Sequence, residues 1–122
     1  MNILGVDYGT KNIGLAWCDT GIGVVLPFGI VGKQELPDVV KKENIDLVVI
    51  GLPIGLNGKE NENTKRVKKF AEDLKEKMKV KIDFFDERFT SQQADRMEGG
   101  ASRDEKSAML VLESYLEMKK RK

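Results

Sequence analysis

Short apolar runs alternate with helix-spaced apolar stripes along this chain, and the two patterns divide it into elements. Ile3, Leu4 and Val6 make a nearly continuous run over Asn2 to Asp7, the pattern of a buried central strand. From Asn12 to Cys18, Ile13, Leu15 and Trp17 alternate with small residues, which predicts a half-buried strand joined to the first by a hairpin over Gly9 to Lys11. Val24 to Val31 is a third apolar run. Pro27 and Gly29 inside it predict an edge or bulged strand.

The period then changes. Glu35 to Asn44 places Leu36, Val39 and Val40 on one helical face, and Asp46 to Gly51 follows as a buried strand rich in Val and Ile. Leu52 to Glu60, with Pro53, Gly55 and Asn57-Gly58, reads as a loop. Val67, Phe70, Ala71, Leu74 and Met78 recur at helical spacing with Lys and Glu opposite, an amphipathic helix that packs on a sheet. Lys81 to Phe85 is a short strand running into Asp86-Glu87-Arg88. Thr90-Ser91-Gln92-Gln93 fits a capping box for a short helix ended by Gly99-Gly100. Ser102-Arg103-Asp104-Glu105 fits another, with Ala108, Met109, Leu112, Tyr115 and Leu116 following at helical spacing.

Three leading strands followed by helix-separated strands predict an α/β fold: a mixed central sheet, antiparallel on one side and parallel on the other, with helices on its faces. In such sheets ligands bind beyond the carboxyl ends of the parallel strands, where Asp7 and Asp86-Glu87 are expected to emerge.

Composition narrows the chemistry. With 122 residues the chain is expected to make a single domain, residues 1–122, burying about two thirds of its unfolded surface. Lys and Arg number 21 against 20 acids, so any cationic surface is local. The one cationic run, Lys119-Lys120-Arg121-Lys122, suits a solvated helix end. There is no histidine, and Cys18 is the only cysteine, which excludes histidine acid–base chemistry, disulfides and Cys/His zinc sites. Any metal must be held by oxygen, as a hard ion such as Mg²⁺ or Mn²⁺. The absence of a long apolar run leads to the expectation of a cytoplasmic protein without membrane attachment.

Asp7, Asp86 or Glu87, and Asp104 each have a structural explanation taken singly. Asp7 suits a turn cap, Asp86-Glu87-Arg88 a solvated salt-bridge cluster, and Asp104 the positive end of its helix. Brought together they need relief. Carboxylates about 5 Å apart repel by roughly 3 kcal/mol per pair at an effective dielectric near 20, so three cost on the order of 10 kcal/mol. That is comparable with a domain's whole stability of about 5 to 15 kcal/mol, and proton uptake or a divalent cation must offset it.

Five segments, in order, carry a family resemblance: Ile3 to Ala16, Val49-Ile50-Gly51-Leu52-Pro53 with Gly58, Phe70 to Leu74, Asp86-Glu87-Arg88-Phe89-Thr90-Ser91, and Asp104 to Ala108. Together they resemble the YqgF/RuvX family essentially end to end. The resemblance implies a ribonuclease H-like fold akin to Holliday-junction resolvases, and an endonuclease dependent on Mg²⁺ or Mn²⁺. It also implies a nucleic-acid substrate, either structured RNA at the 5′ end of pre-16S rRNA, in ribosome biogenesis, or branched DNA. By the same resemblance Asp7, Glu87 and Asp104 would be the catalytic, metal-binding acids, although strand alternation by itself does not choose between Asp86 and Glu87. Lys11, Arg88, Thr90 and Ser91 stand beside them in sequence as candidate nucleic-acid contacts, and the loop Leu52 to Asn63 is placed to offer backbone amides.

The chain departs from the family pattern in two respects. Members carry a longer, often basic segment where this chain has only Gly99-Gly100-Ala101, and Asn12 and Ser107 replace a common arginine and alanine. The short segment and near-neutral charge motivate a second reading, a nucleic-acid-binding or regulatory protein without efficient catalysis. A third, an actin-like ATP-binding fragment, rests on Asp7-x-Gly9-Thr10 followed by Gly14, and it lacks the second phosphate loop and domain such proteins use.

Overall fold

The first two apolar runs form the hairpin their alternation predicts. In the computed structural model, which describes residues 1–9, 11–54, 58–87 and 102–120, β1 (Asn2–Tyr8) pairs antiparallel with β2 (Ile13–Asp19). The Gly9 amide donates to the Asn12 carbonyl at 3.1 Å, so this turn serves as a hairpin connection. β3 (Val25–Val31) adds antiparallel to the outer side of β2 as an edge strand. Its register slips where Leu15 faces Gly29 and Ala16 faces Pro27, and Gly29 adopts φ 130°, a conformation that favours glycine. Pro27, which has no amide to donate, is tolerated because the strand lies at the edge.

α1 (Leu36–Lys42) returns the chain to β4 (Leu47–Leu52), which lies parallel to β1 on the side away from β2. α2 (Glu62–Lys77) then leads to β5 (Lys81–Asp86), parallel to β4, completing the order β3-β2-β1-β4-β5. α3 (Arg103–Lys120) closes the described chain. The anticipated helix from Thr90 to Gly99 and the last residues Arg121 and Lys122 lie outside the described residues.

Strand alternation separates two cores. Leu4, Val6, Ile13, Leu15, Val48 and Ile50 face α1 and α2, where they meet Leu36, Val40, Val67, Phe70, Ala71 and Leu74. The other face carries Ile3, Ala16, Cys18, Val49 and Phe85 against Ala108, Val111, Leu112 and Tyr115 of α3. β1 is therefore buried on both faces, the reason its apolar run is nearly continuous. Cys18 is fully buried among these residues. Among the described residues no helix is long and apolar enough to cross a membrane.

Both long helices begin at caps. The Ser102 hydroxyl accepts from the Glu105 amide at 3.2 Å, and the Glu105 carboxylate accepts from the Ser102 amide at 3.1 Å, the reciprocal box read from the sequence. α2 is capped by Asn61, whose side chain accepts from the Thr64 amide at 3.0 Å while the Thr64 hydroxyl accepts from the Asn61 amide at 3.1 Å. The same hydroxyl, fully buried, donates to the Pro53 carbonyl at 2.5 Å and ties the start of α2 to the end of β4.

Candidate active site

The parallel strands β1, β4 and β5 release their chains at one edge of the sheet, and a cleft of about 260 Å³ opens there. Asp7, Tyr8 and Gly9 line it from the end of β1, Pro53 from just beyond β4, and Glu87 from just beyond β5. Asn63, Arg66 and Val67 of α2 form the opposite wall. This is where open α/β sheets place their ligands.

Two glycines let the acids approach one another. Asp7 is paired across the hairpin with Gly14, and a Cβ on Gly14 would lie 2.1 Å from the Asp104 carbonyl oxygen and 2.9 Å from the Asp104 Cβ. The missing side chain thus admits the first turn of α3 directly onto β2, beside Asp7. On β4, a Cβ on Gly51 would lie 2.6 Å from Oε1 of Glu87, so glycine there leaves the space that the Glu87 carboxylate occupies.

Asp7 and Glu87 are hydrogen-bonded to each other through their side chains. Burial, then the Asp7 charge and the hydrogen bond to Asp7, then the Asp86 charge, push the Glu87 carboxyl up from 4.5 to about 7. Burial also raises Asp7; the hydrogen bond from Glu87 acts against that rise and the nearby charge of Asp104 adds to it. As a pair the two carboxyl groups therefore keep a proton to higher pH than isolated carboxylates do. A shared proton relieves the repulsion of two half-buried carboxylates when no cation stands between them.

The sequence-predicted residues divide accordingly. Asp7 and Glu87 come together in the cleft, and Asp104 sits close enough for its charge to act on Asp7 without itself lining the cleft. Among the described residues no three acidic, histidine or cysteine side chains are grouped to hold a metal ion. Asp86 is the last residue of β5 and Glu87 lies just beyond the strand; Glu87 is the one that reaches Asp7. Lys11 is exposed in the hairpin turn and does not line the cleft. Arg88, Thr90 and Ser91 lie outside the described residues.

Arg66 was missed from sequence, because it sits on the polar side of an amphipathic helix, which reads as solvent-facing. The available signal was topological: the helix after a parallel strand begins at the strand's carboxyl end, so its first turns border the site. As a donor set the Asp7–Glu87 pair is all oxygen and already competes for one proton, which suits a hard divalent cation.

A family model described as RuvX, Holliday junction resolvase, matches residues 1–118. The chain belongs to this family. Relatives named "Putative pre-16S rRNA nuclease" include a Parabacteroides distasonis protein 37% identical, covering 97% of this chain and 96% of that one. Another, from Dictyoglomus turgidum, is 32% identical and covers 96% and 94%. That alignment spans 140 positions, more than the 122 residues of this chain, so RuvX relatives carry residues that this member lacks. Among solved structures, Thermus thermophilus RuvC in complex with a Holliday junction substrate superposes with a TM-score of 0.65 at 12% identity, covering 97% of this chain and 96% of that one. The likeness establishes the ribonuclease H-like architecture common to RuvC and this RuvX member.

Proposed function

We propose that this RuvX-family chain is a divalent-metal-dependent endonuclease that hydrolyses phosphodiester bonds in structured RNA, the 5′ end of pre-16S rRNA above all, with branched DNA as the alternative substrate. The observation that carries the reading is the apposition of the hydrogen-bonded Asp7 and Glu87 carboxyl groups in the cleft at the carboxyl edge of the parallel strands. Family membership and the naming of its relatives as rRNA nucleases support the same activity.

In this reading Asp7 and Glu87 would hold Mg²⁺ or Mn²⁺, with Asp104 as a third acid delivered by the first turn of α3. When bound, such an ion supplies Lewis acidity and positive charge at the scissile phosphate. The protein's own contribution is to seat the Glu87 carboxylate beside Asp7 in the space left at Gly51, to admit Asp104 and the start of α3 through the space left at Gly14, and to shield the pair partly from water. Giving up the Glu87 proton readies the pair for a cation. Arg88, Thr90, Ser91 and Lys11 are proposed nucleic-acid contacts because they stand beside the acids in sequence. Cytoplasmic action follows from an rRNA substrate.

The test is cleavage of a labelled precursor-rRNA 5′ fragment and a four-way DNA junction in parallel, with Mg²⁺, Mn²⁺ or chelator. Metal-dependent cleavage that Asp7→Asn abolishes without unfolding is expected. Undiminished cleavage by Asp7→Asn would overturn the site. One observation favours a second reading, a binding or regulatory protein: the residues that this chain lacks relative to its relatives. Salt-sensitive binding with no cleavage of either substrate would establish that reading instead.

A further inference from the structure

Four cations fall within five residues near the start of α2: Lys65, Arg66, Lys68 and Lys69. Their surroundings differ. Lys68 is engaged by Glu60, whereas Arg66 and Lys69 have no ion pair among the described residues. Arg66 lines the cleft that contains Asp7 and Glu87, and Asn63, one turn earlier on the same side of the helix, lines it too. Lys69 continues that side by one further turn and is exposed.

An unpaired guanidinium in a cleft with two carboxylates calls for an explanation. Among the described residues Arg66 makes no ion pair with Asp7 or Glu87, so it is not tied up as the counter-charge of the acid pair. Nor is it placed by accident. Four residues on, Phe70 is buried and meets the ring of Tyr8 edge-on, with centroids 4.6 Å apart, and Tyr8 adjoins Asp7. The Thr64 hydroxyl, held to the Pro53 carbonyl, fixes the helix two residues before Arg66. The backbone that carries Arg66 is thus pinned on both sides, while its side chain stays exposed and charged.

We propose that Arg66, with Asn63, forms a phosphate subsite on the α2 wall of the cleft, which grips the nucleic-acid backbone at a phosphate next to the one being cleaved. Lys69 extends this cationic track away from the acids. The proposal rests on the nuclease reading of the Asp7–Glu87 site. Arginine suits the role because its planar fork donates two parallel hydrogen bonds to phosphate oxygens, and the Asn63 amide adds a neutral donor that does not compete with the acids for a cation. Such contacts position a strand without reading its sequence. Arg66 is a positioning residue in this scheme.

The experiment measures binding of a labelled RNA hairpin with a single-stranded 5′ extension, and of a four-way DNA junction, to the full chain in chelator between about 50 and 200 mM salt. Cleavage by the same proteins is measured with Mn²⁺. For Arg66→Ala we expect about tenfold weaker binding, a salt-dependence slope smaller by about one, and a raised KM with kcat changed far less. Arg66→Lys should restore the slope but not the full affinity, since the charge returns without the fork. Lys77→Ala removes the same charge from the last turn of α2, about 16 Å along the helix, and is expected to leave the slope nearly unchanged. The RNA and DNA arms show which backbone the subsite prefers.

Unaltered affinity and slope in Arg66→Ala overturn the proposal, as does an equal loss in Lys77→Ala, which would reduce the effect to net charge. Binding of neither probe by the unsubstituted protein overturns it as well. Asp7→Asn keeps the two ideas separable: if that variant is inactive while Arg66→Ala binds normally, the nuclease site stands and the subsite falls. If Asp7→Asn cleaves normally, the site reading itself falls.

Discussion

Gly14 and Asp104 are in backbone contact: a Cβ on Gly14 would lie 2.1 Å from the Asp104 carbonyl oxygen, far inside any real contact distance. Because Gly14 is also the cross-strand partner of Asp7, this contact sets how closely the first turn of α3 approaches the acid pair. Gly14→Ala must therefore push α3 outward, since the obstacle is main chain and cannot rotate away. We expect a loss of about 1 to 3 kcal/mol, seen as a melting midpoint lower by several degrees, with cleavage falling in parallel. A variant with unchanged melting and activity would remove the importance assigned to this contact.

Gly51→Ala tests the other acid. The added methyl would stand 2.6 Å from Oε1 of Glu87 and 2.9 Å from Cγ2 of Val111. The Glu87 side chain can swing aside, so stability should suffer less than in Gly14→Ala. Catalysis should suffer more. A displacement of about 1 Å in a catalytic group costs on the order of 100-fold, and we expect a fall in kcat of that order with a smaller drop in melting midpoint from the crowding of buried Val111. Steady-state kinetics beside thermal melts separate the two effects.

Glu87 links stability to pH. Its carboxyl titrates near 7 in the folded protein against an ordinary value of 4.5, so the folded state holds a proton that the unfolded state has released between those values. The stabilisation from this group is complete below about pH 4.5 and is lost as pH rises through 7. Metal-free protein should therefore lose denaturation free energy between pH 5 and 8 on account of this residue, and Glu87→Gln should flatten that slope. A variant that retains the full slope would exclude Glu87 as its source.

Divalent cations should reverse the loss. Mn²⁺ binding to the folded acids at 100 times its dissociation constant would stabilise the protein by about 2.7 kcal/mol. At pH 8 the unsubstituted protein should melt later with Mn²⁺ than with chelator, and Asp7→Asn should show little of this shift. Equal shifts in both proteins would place the ion elsewhere.

Thr64 joins the cleft walls. Its buried hydroxyl donates to the Pro53 carbonyl and accepts from the Asn61 amide, so Thr64→Val keeps the shape and strands both partners. A cost of about 2 kcal/mol is expected. Because Pro53, Asn63 and Arg66 line one cleft, KM for nucleic acid should rise along with the loss of stability. Denaturant titration and kinetics on the same preparation measure both.

Most of the architecture was legible from short-range pattern. The double-sided burial of β1, the bulged edge strand around Pro27 and Gly29, and the Ser102–Glu105 box each leave a mark in the local sequence: a nearly continuous apolar run, a proline and glycine inside a strand, and a Ser-x-x-Glu spacing. The cap of α2 was less visible, because Asn61 sits at the end of a loop already dense in turn residues and its partner Thr64 is an unusual third residue for such a box. The choice between Asp86 and Glu87 was not available from alternation, since successive strand positions point to opposite faces and either face could have been the functional one.

By itself, then, the sequence determined the element order, the mixed sheet, the exclusion of histidine and cysteine chemistry, and a short list of acids at strand and helix ends. These follow from periodicity and composition, which act locally along the chain. Only the tertiary structure decided that Glu87 is hydrogen-bonded to Asp7, that Gly14 and Gly51 make room for α3 and for Glu87, and that Arg66 borders the same cleft. Those relations join residues about 20 to 90 positions apart in the chain, so they arise from how the strands are ordered and the helices pack, which no local pattern encodes.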